Sequence, residues 1–120
     1  MAFPDTFTVT VNAVAKVLVK IPSGNPLETT YRLRGTLDQY DLVIRHKTFT
    51  DKNRGTINRH SVELQHTVYP VSPSTIPVIR KSYAVLEETP QDIVADVQKF
   101  DEAFAAVLSA ANITKLLNYE

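Results

Sequence analysis

The hydrophobic period of this chain changes once, at Thr89-Pro90, and that change constrains the fold more than any other feature. Upstream, apolar side chains recur at every second residue, the spacing of strands that bury one face. Downstream they recur at intervals of three and four, the spacing of a helix with one apolar stripe. The reading is an α+β chain, with a β region over residues 5–88 and a helical region over 90–118.

Within the β region, Phe7 to Val11 and Ala15 to Ile21 alternate and read as strands. The short Asn12-Ala13-Val14 link suggests a hairpin of undefined turn type. Pro22-Ser23-Gly24-Asn25-Pro26 is a breaker and a loop. Thr29 to Arg34 is a third strand, with Tyr31 and Leu33 opposed to Arg32 and Arg34. Gly35 to Gln39 reads as a turn. Tyr40 to Phe49 is a fourth strand with Tyr40, Leu42 and Ile44 inward and Asp41, Val43, Arg45 and Lys47 on the other side. Asp51 to Gly55 is a polar turn. Ile57 to Tyr69 is a long fifth strand, with Val62, Leu64 and Val68 on one side and Arg59, Ser61, Glu63, Gln65 and Thr67 on the other. Pro73 and Pro77 make Val71 to Val78 a loop. Ile79 to Glu88 is the sixth strand: Ser82, Ala84 and Leu86 share one face, and Lys81, Tyr83, Val85 and Glu87 the other.

Thr89-Pro90-Gln91-Asp92 has the chemistry of a helix start. Thr89 is the predicted cap, Pro90 suits the first helical position, and Asp92 closes a capping box. Ile93, Val97, Phe100, Phe104, Val107, Leu108 and Ala111 form the apolar stripe. Asn112 is the predicted break, with Ile113 to Asn118 as a short second helix.

Composition bounds the chemistry. A length of 120 residues argues for one domain. Lys and Arg number 13, as do Asp and Glu, so the formal charge is zero. A free-standing nucleic-acid binder usually carries an excess of positive charge, although a neutral chain can still hold one basic face. The absence of Cys excludes disulfides and thiolate chemistry. The histidines at 46, 60 and 66 make no zinc pattern, and His60 and His66 share the side of Val62 and Leu64, which suits a packed or interface role. The first residues do not read as a signal peptide, and no apolar run reaches transmembrane length. No Ser-His-Asp grouping and no Gly-rich phosphate loop is found. No catalysis, cofactor, metal site or membrane contact is expected, and synthesis in a cytoplasm is.

One sheet face must bury against helices. They could be the chain's own, in an intramolecular core, or a partner's. The opposite face carries Arg45, Lys47, Arg59 and Lys81.

The order of these elements resembles the levivirus-type coat proteins of single-stranded RNA bacteriophages, and most closely the Caulobacter RNA phage type. The resemblance spans nearly the whole chain. It rests on Arg45-His46, Arg59-His60 with Val62-Glu63, Thr67-Val68-Tyr69, Arg80-Lys81-Ser82-Tyr83 and the stretch from Pro90 to Leu108, in that order. It implies an N-terminal hairpin, an antiparallel meander sheet, and two C-terminal helices that pack across a partner subunit. It implies a homodimer as the building unit of an icosahedral, T=3 shell around viral RNA, with the sheet facing inward. It also implies an RNA hairpin bound as a translational repressor of replicase, a maturation protein as a further partner, and residence in the virion after synthesis in a bacterial cytoplasm. The loop at Val71 to Val78 corresponds to the family's loop around the five-fold and six-fold-like axes. By position, the RNA contacts are Arg45, Lys47, Arg59, Ser61, Glu63, Lys81 and Tyr83. Tyr83 offers a ring on which an unpaired base can stack. Glu63 could repel phosphate, pair with Arg45, or receive a base donor. The expected dimer interface is Val97, Phe100, Phe104, Val107 and Leu108. Two competing readings are a non-viral dimeric α+β binding module with a ligand on its sheet face, and a small enzyme, for which no constellation is present.

Overall fold

The computed structural model describes residues 3–22 and 24–119. Six strands follow in chain order: β1 Thr6–Val11, β2 Val14–Ile21, β3 Glu28–Arg34, β4 Asp38–Asp51, β5 Gly55–Val68 and β6 Val78–Glu88. Two helices complete the chain, α1 Val94–Val107 and α2 Ala110–Leu117. The strands form one antiparallel sheet in the order β1-β2-β3-β4-β5-β6, an uninterrupted meander. Each strand pairs with its sequence neighbour, so every connection is local and hairpin turns set the registers.

Two connections differ from the sequence reading, and a third, the polar turn at Asp51 to Gly55, is as predicted. The first hairpin closes on Asn12-Ala13 alone, because Val14 already pairs with Val11. Both loop residues have positive φ, 51° and 62°, the signature of a type I′ turn whose twist matches that of its strands. Between β3 and β4 the turn is shorter than predicted: Asp38 and Gln39 already belong to β4, and the Gly35 N–H donates to the Asp38 carbonyl at 2.8 Å. At the β4–β5 tip, Asp51 pairs with Gly55, whose φ of 76° closes the turn at no steric cost. Asp51 Oδ1 accepts the backbone N–H groups of Asn53 at 2.8 Å and Arg54 at 3.1 Å. Those two bonds, chiefly, hold its carboxyl below the usual aspartate pKa.

The predicted helix start is corrected too. Thr89 to Asp92 forms a turn closed by the Asp92 N–H to the Thr89 carbonyl at 2.9 Å. Asp92 Oδ1 accepts from Ile93 N–H at 2.7 Å, and α1 begins at Val94 after an extended Ile93 with no side-chain cap. The break between the helices is at Leu108-Ser109 rather than Asn112. Ser109 caps α2 by accepting from Asn112 N–H, and the Asn112 side chain donates back to the Val107 carbonyl at 2.8 Å. Asn112 therefore fastens the corner from inside α2.

Register fixes the two faces of the sheet. Tyr31, Leu42 and Leu64 lie in one row, as do Leu33, Tyr40 and His66. The β1–β2 hairpin folds over this face. Leu18, Tyr31, Tyr40, Leu42 and Ile44 are buried there, with Phe7, Val9, Val11, Leu33 and Leu64 packed against them. The rings of Phe7 and Tyr31 meet edge to face at 5.7 Å. Tyr31 donates its hydroxyl to the Pro4 carbonyl. Burial first, and the Asp5 carboxylate second, push the Tyr31 hydroxyl pKa up. Ile57, paired with Phe49, is also buried but belongs to the opposite face.

The hairpin covers only the β3–β4 side. Across β5 and β6 the same face meets α1 over a groove of about 530 Å³, lined by His60, Leu86, Val94, Val97, Asp101 and Ala105 among others. Neither helix has a buried residue. The surface area is 9304 Å², against about 6,500 Å² for a compact monomer of this mass. The radius of gyration is 17.2 Å, against roughly 13.6 Å for a compact chain of this length. The described chain thus exposes roughly 2,800 Å² more than a compact monomer should.

Candidate nucleic-acid interface

The uncovered sheet face is built by strand alternation from odd-numbered residues of β4, β5 and β6 and even-numbered ones of β3. All the predicted contacts lie on it: Arg45, Lys47, Arg59, Ser61, Glu63, Lys81 and Tyr83. Arg45 is opposite Ser61, Lys47 opposite Arg59, and Glu63 opposite Tyr83. The Tyr83 ring is 72 % exposed, so its contribution to the core is small and its face is open for stacking.

Of the roles the sequence left open for Glu63, pairing with Arg45 is the one the structure contains, and a pairing with Lys81 that the sequence did not suggest stands beside it. Glu63 approaches two cations at once, Lys81 Nζ at 3.1 Å and Arg45 Nη1 at 3.6 Å. Arg45 also lies 3.5 Å from Glu28, its neighbour across the β3–β4 ladder. Arg32 donates to Asp41 at 2.6 Å, Gln39 donates to the second Asp41 oxygen at 2.8 Å, and Tyr69 donates its hydroxyl to Gln39 at 3.1 Å. Arg54 bridges toward Asp51 and Glu87. Among the described residues, Lys47 and Arg59 are in no ion pair, although they are directly opposite each other. Like charges in that position repel, and an anion between them relieves the repulsion. The signal for this pattern is diagonal: Glu63 pairs with Val43 in register, one step from Arg45, and with Tyr83, one step from Lys81. Only the strand register exposes it.

The histidines occupy the opposite face, as expected from their neighbours. His66 Nε2 is 2.9 Å from Asp38, its Nδ1 is 3.1 Å from Arg80, and its ring stacks on Tyr40 at 4.1 Å. Ser82 lines the same small cavity. A Ser, a His and an Asp are therefore neighbours, which the sequence reading did not find. Arg80 can only donate, so Nδ1 accepts and Nε2–H donates to Asp38. Both ring nitrogens are engaged, and none is available as a base for Ser82. His46 and His60 join through their Nδ1 atoms at 2.8 Å, and His60 Nε2 bonds Glu88 at 2.9 Å. No group of three or more acidic, His or Cys side chains that could hold a metal occurs among the described residues. No helix among them is long and apolar enough to cross a membrane.

The structure divides the predicted dimer interface. Val97 lines the groove beside the chain's own Leu86. Phe100, Phe104, Val107 and Leu108 do not line that groove and are exposed, Phe100 by 75 %. The stripe is real, but part of it faces its own sheet and the rest faces outward.

The family model for the coat protein of phage phiCb5 matches residues 4–89, covering all six strands. The chain belongs to that coat protein family. Among solved structures, the bacteriophage EMS014 coat protein superposes with a TM-score of 0.72 at 15 % identity, over 89 % of this chain and 74 % of that one. At that identity the likeness speaks for the fold, and it extends the match into the helical region. No curated protein matches the chain. The chain is thus an RNA phage coat protein of the Caulobacter phage type: a structural protein that assembles into a capsid, not an enzyme, and a component of the virion.

Proposed function

We propose that this coat protein works as a homodimer, that dimers close into a T=3 icosahedral shell, and that the uncovered sheet face lies inside it against single-stranded RNA. The observation that carries the dimer is the surplus of exposed surface. Some 2,800 Å² per chain beyond a compact monomer, about 5,600 Å² for a pair, is the scale of a large obligate interface, which buries about 2,000–5,000 Å² or more counted over both partners. That surplus includes exposed side chains of both helices and β6, an unpaired edge strand of 11 residues. An edge this long is a template for another strand. Pairing β6 with a second β6 extends the sheet and carries each subunit's helices over the other's open β5–β6 face.

The RNA reading is supported by the concentration of Arg45, Lys47, Arg59, Lys81 and the open Tyr83 ring on the one face that neither hairpin nor helix covers. Ser61 adds a hydroxyl beside Arg45. A single domain over the whole chain, repression of replicase through an RNA hairpin, a maturation protein as partner and synthesis in the bacterial cytoplasm complete the proposal, on the family resemblance.

Expression of the chain alone, followed by electron microscopy and extraction of nuclease-protected RNA, tests this reading. Closed shells containing RNA are expected. A discrete dimer that never grows, or shells devoid of RNA, would remove the shell or the RNA part respectively.

A further inference from the structure

The ion pairs on the uncovered face divide its cations into two classes, and the division assigns Glu63 a task. We propose that Glu63 is a selectivity gate: its carboxylate occupies Arg45 and Lys81, so that indiscriminate phosphate contact falls to the unpaired Lys47–Arg59 couple. This rests on the reading of the face as an RNA surface and goes beyond it, since that reading treats all its cations alike.

The geometry supplies the reasons. Glu63 sits between its two cations, at 3.1 Å from Lys81 and 3.6 Å from Arg45, and its side chain is only 23 % exposed. A phosphate approaching either cation must displace this carboxylate or lie beside it, and close like charges raise the cost. Glu28 draws on Arg45 from the other side. Lys47 and Arg59 meet no such competitor among the described residues. Glu87 is opposite Arg59 in register, but its carboxylate lies 3.5 Å from Arg54. A phosphate between Lys47 and Arg59 gains two charge-assisted contacts and removes their mutual repulsion. Glu63 is also directly opposite Tyr83. The gate therefore stands beside the ring that would stack a base, where an RNA held by its backbone alone would otherwise slide.

Without the gate, two more cations join the phosphate-binding set. Glu63→Gln keeps the shape and a hydrogen-bonding end but removes the charge. Filter binding of oligouridylate to the assembled-competent wild-type protein and to the variant, over a series of salt concentrations, reads the effect. Glu63→Gln is expected to bind oligouridylate roughly three- to tenfold more tightly at low salt, with the gain fading as salt rises. The slope of log K against log salt should steepen by about 0.7 for each cation released to a phosphate. Lys47→Ala with Arg59→Ala should weaken binding and flatten the same slope. In a Lys81→Met background the effect of Glu63→Gln should shrink, because one of the cations it releases is absent. A thermal melt of each variant establishes that the fold is intact, and Glu63→Thr serves in place of the Gln variant if that one does not fold. Wild-type binding that depends on salt, with slope and affinity unmoved in Glu63→Gln, overturns the gate and leaves the RNA face standing. Wild-type binding unmoved by both Glu63→Gln and the Lys47/Arg59 pair of changes, or no wild-type binding, overturns both.

Discussion

Phe100→Ala separates folding of the chain from its association. The Phe100 ring is 75 % exposed on α1, which has no buried residue. Its removal should cost the isolated fold almost nothing, since little apolar surface there is withdrawn from water within the chain. Full burial of such a side chain stabilises by about 1.5–3 kcal/mol. With three quarters of the surface still to bury, a partner gains roughly 1–2 kcal/mol from each ring. A two-fold interface contains every change twice, so the dimer should lose roughly 2–4 kcal/mol, or about thirty- to several-hundred-fold in Kd. Sedimentation equilibrium on dilution reads the association constant, and circular dichroism reads the fold. The expected outcome is an intact β signal with a sharply raised dissociation constant. A dimer of unchanged affinity would refute the assignment of this helix face to the interface. So would a wild-type chain that is a stable, fully folded monomer at micromolar concentration.

Tyr83→Ala should leave the fold intact, because the ring is 72 % exposed, yet weaken a specific RNA hairpin by roughly ten- to a hundred-fold. Tyr83→Phe should retain most of the affinity, and filter binding beside a scrambled hairpin distinguishes the two; equal losses on both RNAs would count against stacking. Ala13→Gly should stabilise the first hairpin by about 0.5–1 kcal/mol, since Ala13 holds a φ of 62° that costs a side-chain-bearing residue about 1–2 kcal/mol, partly offset by the freedom glycine adds to the unfolded chain. A urea titration measures it, and a loss of stability would contradict the type I′ turn. Asp51 has a lowered carboxyl pKa because two backbone N–H groups bond its ionised form. Its stabilisation is present above the ordinary aspartate range and is lost as pH falls through that range and the lowered value. Asp51→Asn should flatten the acid limb of the urea midpoint below about pH 5, and an unchanged limb would refute the link.

The order of elements was legible because each connection is local: alternation marks the strands, and the switch to a helical period marks the end of the sheet. Tyr40, Leu42 and Ile44 are inward for the same reason, and alternation alone places Arg45, Lys47, Arg59, Lys81 and Tyr83 on one common face once the meander is assumed. Helix ends were less legible. Thr89-Pro90-Gln91-Asp92 has the residues of a capping box, but the chain spends them on a turn and starts α1 at Val94. Ser109 and Asn112 divide the corner between them through bonds that span three and five residues.

Tertiary structure decided which of the open charge pairings form. Glu63 is eighteen residues from Arg45 and also from Lys81 in the chain, and only the diagonal of two ladders brings it to both. The same holds for Asp38 and His66, and for the division of the helical stripe into Val97 at the groove and Phe100 outside it. A sequence specifies the side of each strand because backbone geometry alternates residue by residue. It does not specify which side chains meet across strands, because contact energies act between neighbours in space and depend on register and twist.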